Sequence, residues 1–145
     1  MRPPVDLSIS VIVPVYKGGE NFRKCMQALS KAMPPPDEVL VIADGGMEQK
    51  PYPETALHVR ILETSVRNGP AKARNVGASE ATGDILFFVD ADVLIQPDAI
   101  RKIRRFFEQE PEVTAVFGSY DDAPSEPNFL SQYRNLLHHY VHQNG

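Results

Sequence analysis

The chain has 145 residues, 42% hydrophobic and 23% charged, a balance that suits one soluble globular domain with a substantial core. Its formal net charge of −4 and isoelectric point near 5.5 argue against a general nucleic-acid binder, which would normally be basic. No segment approaches the roughly 18 apolar residues of a membrane span, residues 1–6 lack the apolar region of a signal peptide, and the single cysteine, Cys25, excludes an internal disulfide, so the sequence reads as a cytoplasmic domain.

Residues 8–16 are β-branched and apolar and predict a first buried strand. Pro14 has no N–H to give a ladder, so the strand is expected to leave regular pairing there. Lys17-Gly18-Gly19 reads as a flexible turn that lets backbone approach a ligand. Over residues 20–32, Phe22, Cys25, Met26 and Leu29 recur at helical spacing, and Met33-Pro34-Pro35-Pro36 ends that helix. Cys25 reads as a small apolar residue of the helix, not a reactive thiol. Residues 38–43 predict a second buried strand, closed by Asp44-Gly45-Gly46. Residues 47–56 hold two prolines and no periodicity and read as a loop. Alternation over 57–62 predicts a half-covered strand nearer the sheet edge.

Asn68-Gly69-Pro70 opens a helix through Ala81. Its small residues, Ala71, Ala73, Gly77, Ala78 and Ala81, suit close packing on a sheet or beneath a ligand. Gly83 and Asp84 then lead into five unbroken apolar residues, 85–89, the pattern of a strand buried on both faces. Asp90-Ala91-Asp92 follows at once. Gln96-Pro97-Asp98 starts another helix, with Ile100, Ile103, Phe106 and Phe107 as its buried stripe. Arg101, Lys102, Arg104 and Arg105 lie largely on its other side, as a solvated basic face or, in a second reading, a contact to an anionic membrane surface.

Residues 113–117 predict a further strand, followed by a polar loop. A last helix, over about 127–142, carries Phe129, Leu130, Tyr133, Leu136, Leu137, Tyr140 and Val141 on one stripe. That stripe needs cover from this domain, another protein or a membrane surface. His138, His139 and His142 fall on the opposite side. His138 and His142 have the i, i+4 spacing of a metal pair, but with no adjacent carboxylate they read as exposed histidines. Strands alternating with helices predict an α/β fold, a mostly parallel sheet with helices on both faces and no marked domain boundary.

The carboxyl ends of the predicted strands gather the chemistry. Open α/β sheets bind ligands there, and the ends hold Val15-Tyr16-Lys17, Asp44 and the Asp90/Asp92 pair, with Lys72, Arg74 and Asn75 on the facing helix. Two oxygen-donor side chains on a rigid strand end can anchor Mg²⁺ or Mn²⁺. Asp-x-Asp is also the composition of a solvated turn or helix cap. Carboxylates beside an Arg/Lys pair at a helix N-terminus fit a diphosphate bridged by a cation. Taken singly, Arg74 reads equally as a surface ion pair, Lys72 as a solvated helix residue and Asp44 as a turn former. Neither a Gly-x-x-x-x-Gly-Lys-Ser/Thr loop nor a Gly-x-Gly-x-x-Gly turn is present, which argues against ATP hydrolysis and NAD chemistry.

These residues carry a resemblance. Ser10 to Tyr16, Glu38 to Gly45, Asn68-Gly69 with Ala71 to Gly77, Ala81-Thr82-Gly83 and Asp90-Ala91-Asp92 resemble, in order and spacing, the N-terminal half of a family 2 glycosyltransferase. The resemblance implies the Rossmann-like GT-A fold and a nucleotide-diphosphate sugar donor, with uridine as the expected base. It implies a donor-binding set of Pro14, Val15, Tyr16, Asp44, Lys72, Arg74, Asn75, Asp90, Ala91 and Asp92. Within that set Asp44 would meet the base, Lys72 or Arg74 the diphosphate, and Asp90 and Asp92 the Mg²⁺ or Mn²⁺. Ala43 stands where the family pattern has an Asp, which removes one expected nucleotide contact.

The family reaction is a single displacement with inversion at the anomeric carbon, onto an acceptor the residues do not name. Family enzymes use a second half to supply the acidic base, and after Asp122 this chain offers only Glu126. It therefore reads as a fragment of a longer catalytic domain, or a half-domain that needs a partner, acting in the cytoplasm or at the inner membrane face. Two alternatives stand beside transfer. One is a donor-binding half without turnover. The other is a sugar-phosphate nucleotidyltransferase, against which the missing early Gly-rich phosphate loop argues.

Overall fold

A computed structural model describes residues 6–47 and 57–118 of the chain. The elements run β1 (Ile9–Lys17), α1 (Glu20–Ser30), β2 (Glu38–Met47), β3 (Val59–Thr64), α2 (Pro70–Glu80), β4 (Ile85–Phe88) and α3 (Ala99–Gln109). The four strands form one sheet in the order β3-β2-β1-β4, with every pair parallel. The chain divides into two compact units, Met1–Glu110 and Pro111–Gly145, and all seven elements belong to the first.

Strand periodicity sorts the core into two layers. Ile9, Val11, Val13 and Val15 of β1 face one way, with Val39 and Val41 of β2, and are buried against Phe22, Cys25, Met26 and Leu29 of α1 and Ile100 of α3. Ile12, Leu40 and Ile42 face the other way and are buried with Ala73 of α2. Helices thus cover both faces, as the alternating pattern predicts. The small residues of α2 have a definite purpose here. A Cβ at Gly77 would stand 2.4 Å from Ile12 Cγ2, so only glycine lets the helix lie this close to the sheet. Gly83 is held the same way, since a Cβ there would stand 2.5 Å from Ser10 Oγ.

Several sequence expectations are corrected. β4 is not buried on both faces: Leu86 and Phe88 are 39% and 44% exposed, while Ile85 and Val89 are buried. Among the described strands β4 is an edge, and α2 lies over β1 and β2 instead. Pro14 does not end pairing with β2, which stays regular through Val15↔Ala43 and becomes irregular only between Val15 and Lys17. Pairing with β4 does stop short of it, at Ile12↔Phe88. Alternate residues of a parallel strand turn their backbone groups to opposite neighbours. Ile12 accepts from Val89 N–H on the β4 side, so the N–H that Pro14 lacks falls where that ladder has already ended.

β2 also runs through Asp44-Gly45-Gly46 to Met47, longer than the predicted 38–43, while β3 sits at the sheet edge as its alternation predicts. Residues 113–117 form no strand, because a strand needs a ladder and none is formed with them among the described residues. Arg104 is not part of a solvated face. Its side chain is 18% exposed and donates to Leu7 O at 2.8 Å and to Asp37 Oδ2 at 3.0 Å, tying α3 to the start of β1 and β2. Phe106, placed in the buried stripe, is 39% exposed. Of the predicted loop at 47–56, Met47 belongs to β2 and the rest lies outside the described residues, as do the helix at 127–142 with His138, His139, His142 and the apolar stripe, and Asp121, Asp122 and Glu126. Among the described residues no helix is long and apolar enough to cross a membrane.

Candidate nucleotide-binding site

A parallel sheet delivers every strand's carboxyl end to the same rim. There β1 ends in Tyr16 and Lys17, β2 in Asp44, Gly45 and Gly46, and β3 in Thr64, while Asp90 to Asp92 lie just past β4. Lys17, Gly18 and Gly19 all have positive φ, at 65°, 84° and 107°, so the chain turns sharply from β1 into α1. Glycine adopts such angles freely, and Lys17 is the residue that carries local strain.

Asp44 is the organiser of this rim. Its Oδ1 accepts from Asn68 N–H at 2.8 Å and Thr64 Oγ at 3.1 Å, and its Oδ2 from Gly69 N–H at 2.8 Å. The Asn68 N–H above all holds the carboxyl below the usual carboxylate range. The Gly69 N–H, the Thr64 hydroxyl and the nearby Arg67 charge add to it against the opposing effect of burial. Asp44 therefore positions the N-terminus of α2. The two N–H groups ahead of Pro70 are already taken, so helix-end donors available to a ligand begin no earlier than Ala71.

Across the rim, Arg74 Nη2 lies 2.5 Å from Asp90 Oδ1. Asp92 is exposed and makes no hydrogen bond or ion pair among the described residues. Asp90 C=O accepts from Val93 N–H at 3.0 Å, which closes a turn that carries both carboxylates. Beneath that turn, Cys25 Sγ lies 3.7 Å from Asp90 O. Burial, then the charges of Asp92 and Asp90, push the Cys25 thiol up to about 12. Cys25 is thus an inert core thiol, and both carboxylates lie close enough to act on it electrostatically.

The structure brings some sequence-predicted residues together and leaves others apart. Asp90 meets Arg74 directly. Tyr16 is 44% exposed, whereas Pro14 and Val15 are buried in β1 and present no side chain to solvent. Ala91 packs on the core as the spacer between the two carboxylates. Lys72 and Asn75 are exposed on α2 and make no contact with either carboxylate group among the described residues. Ala43, in place of an Asp, is fully buried between β1 and β3.

Sequence reasoning missed two groups. Arg67 lies with its guanidinium carbon 3.8 Å from the centre of the Tyr16 ring, and no spacing from a motif pointed to it. The second is Glu38, buried at the opposite end of the sheet. It accepts from Ser10 Oγ at 2.6 Å, Thr82 N–H at 2.6 Å and Thr82 Oγ at 2.9 Å, and pairs with Arg60. Its signal was a charged residue opening an otherwise apolar strand. By joining β1, β2 and the lead into β4 it sets where β4 begins, and so where Asp90 ends up.

The family model described as Glycosyl transferase family 2 matches residues 10–144. The chain belongs to this family. An uncharacterized glycosyltransferase of Escherichia coli strain K12, YibD, is 38% identical over 94 residues, 61% of this chain and 27% of that protein. An uncharacterized glycosyltransferase of Haemophilus influenzae strain Rd is 26% identical over 141 residues, 89% of this chain and 48% of that one. Against the crystal structure of S. aureus TarS 1-349 in complex with UDP-GlcNAc, the TM-score is 0.71 at 24% identity, covering 84% of this chain and 37% of that one. This last likeness supports the α/β fold. The chain spans between 27% and 48% of the length of these two relatives.

Proposed function

We propose that this family 2 chain binds a nucleoside-diphosphate sugar at the carboxyl ends of β1, β2 and β4 and serves transfer of the sugar to an acceptor hydroxyl. The observation that carries the reading is the Arg74–Asp90 pair beside the unpaired Asp92, on a turn opposite the N-terminus of α2. Asp90 and Asp92 offer the hard oxygen donors that Mg²⁺ or Mn²⁺ takes. Such a cation would supply Lewis-acid stabilisation of the departing diphosphate.

The chain's own residues divide the remaining work. Arg74 orients Asp90, Asp44 holds the α2 entrance, and the half-exposed Tyr16, with Arg67 against its ring, stands at the same rim. Uridine is the proposed base, and the UDP-GlcNAc held by TarS in its crystal structure favours it. We propose inversion by direct displacement. On this reading Asp44, Asp90 and Asp92 serve the donor side, so the acceptor base is another group. A second reading stands beside it, a donor-binding portion without efficient turnover. General-base catalysis is worth roughly a hundred- to ten-thousand-fold in rate, so the two readings separate by assay. Uridine diphosphate should bind in a Mn²⁺-dependent manner under both. Multiple-turnover release of nucleoside diphosphate from the chain alone, with a broad acceptor pool, supports transfer. Binding without release supports the second reading, and no nucleotide binding at all overturns both.

A further inference from the structure

Helical spacing sets Arg101, Arg104, Arg105, Glu108 and Gln109 along one stripe of α3, and these five residues border a cavity of about 310 Å³. That volume falls at the lower end of the range for small-molecule sites. Two of its three guanidinium groups are already placed. Arg101 Nη2 donates to Met33 O at 2.9 Å, while Arg104 donates through Nε to Leu7 O and through Nη2 to Asp37 Oδ2. Leu7 and Asp37 lie just ahead of β1 and β2, so the cluster stands toward the amino ends of the strands. The candidate nucleotide site is at their carboxyl ends.

The charges around this cavity do not cancel. Arg104 is answered by Asp37 at 3.0 Å and Asp6 at 3.8 Å. Arg101 acts on the Asp98 carboxylate, but that group is bonded to Lys102 at 3.0 Å, and neither Asp98 nor Lys102 borders the cavity. Arg105 is exposed and makes no hydrogen bond or ion pair among the described residues. Glu108 is the carboxylate on the border, and among the described residues it pairs with none of the three arginines. Each guanidinium is a planar fork of N–H donors, and the bonds above leave donors open on all three.

We propose that this stripe of α3 is a second binding site, for a phosphate monoester held by Arg101, Arg104 and Arg105. Guanidinium groups match phosphate oxygens in geometry and charge. A phosphate monoester carries close to two negative charges and three acceptor oxygens, which suits three arginines better than a carboxylate does. Arg101 and Arg104 are held by the protein before any ligand arrives, so less side-chain freedom is lost on binding. Glu108 and Gln109 on the same border can accept from hydroxyl groups of the esterified alcohol. A soluble metabolite and a lipid headgroup can both present this chemistry, and experiment separates the two sources.

The test is calorimetry with glycerol 3-phosphate, and with glycerol as the uncharged control, on wild type, Arg101→Ala and Arg105→Ala. Cosedimentation with phosphatidylcholine vesicles, with and without phosphatidic acid, is run beside it. Wild type should bind a phosphate monoester and ignore glycerol, and each variant should bind it about tenfold more weakly, the loss of one charge-assisted hydrogen bond. Arg105 has no partner to lose among the described residues, so the melting curve of Arg105→Ala should overlay the wild type. Its Mn²⁺-dependent uridine diphosphate binding should also be unchanged. Binding of glycerol 3-phosphate in solution supports the site with a soluble ligand. Cosedimentation that requires phosphatidic acid and weakens in Arg105→Ala supports it with a lipid one. No binding of either probe by the wild type would overturn the proposal, as would equal affinity in wild type and Arg105→Ala. Displacement of glycerol 3-phosphate by uridine diphosphate would also overturn it, by placing the phosphate at the donor rim.

Discussion

Arg74 and Asp90 join the first turns of α2 to the end of β4 through a single bond of 2.5 Å between Nη2 and Oδ1. The two residues stand sixteen apart in the chain and reach the same rim because α2 returns along the opposite face of a parallel sheet. Among the described residues Asp90 Oδ2 has no protein donor, and Asp92, two residues on, is exposed.

Replacing Arg74 by alanine should therefore affect binding more than folding. The pair is partly exposed, at 35% and 53%, and such pairs contribute about 0–1 kcal/mol to stability. Uridine diphosphate affinity in Mn²⁺ should fall about tenfold, or about 1.4 kcal/mol, with the melting temperature nearly unchanged. Equal affinities by calorimetry would show that Asp90 needs no orienting partner.

Asp92→Asn keeps the shape of the turn and removes one negative oxygen donor. Its affinity for uridine diphosphate in Mn²⁺ should drop to the value that wild type shows in a chelator. In the chelator, the two proteins should agree. A variant that retains the full Mn²⁺ enhancement would remove Asp92 from the cation site.

Gly77→Ala sets two effects against each other. Alanine favours a helix interior over glycine by about 1 kcal/mol, which alone would stabilise α2. The new Cβ, however, would lie 2.4 Å from Ile12 Cγ2 and 3.3 Å from Ile42 Cγ1, both fully buried. Overpacking of that kind costs about 1–3 kcal/mol, and overlap this deep places the cost at the upper end. A lowered urea midpoint is expected, and a raised one would show that α2 can lift off the sheet at little cost.

Glu38 gives the fold a defined acid sensitivity. Burial pushes its carboxyl up, but the Ser10 hydroxyl, the Thr82 N–H and hydroxyl, and Arg60 outweigh it and hold the group at about 2, against 4.5 ordinarily. A depressed folded value means the stabilisation is complete above about pH 4.5 and is lost as pH falls towards about 2. Denaturant unfolding of wild type and Glu38→Gln should differ most at neutral pH and converge near pH 2. A difference that stays constant from pH 7 to pH 2 would show that the Glu38 charge contributes nothing.

How the sequence and the fold divide the information follows from the range of the forces involved. Periodicity is local, and so the strand pattern at 8–16, the small-residue helix around Gly77 and the Asp90-Ala91-Asp92 turn could all be recognised along the chain, with the parallel sheet following from their alternation. Helices on both faces were equally legible, from the alternation of strands and helices, whereas the sorting of Ile9, Val11 and Val13 from Ile12 came from the packing. Burial of β4 was not, because Leu86 and Phe88 are covered or exposed according to where α2 comes to rest, and Gly77 seats that helix over β1 and β2. Nor could spacing reveal Arg104 clasping Asp37, Glu38 gathering Ser10 and Thr82, or Arg67 lying on Tyr16. Hydrogen bonds and ring contacts form between groups a few ångströms apart in space and up to 97 residues apart in sequence. Residue type thus determined what chemistry the rim can hold, and the docking of helix on sheet decided which charges there are spent on the protein and which stay open to a ligand.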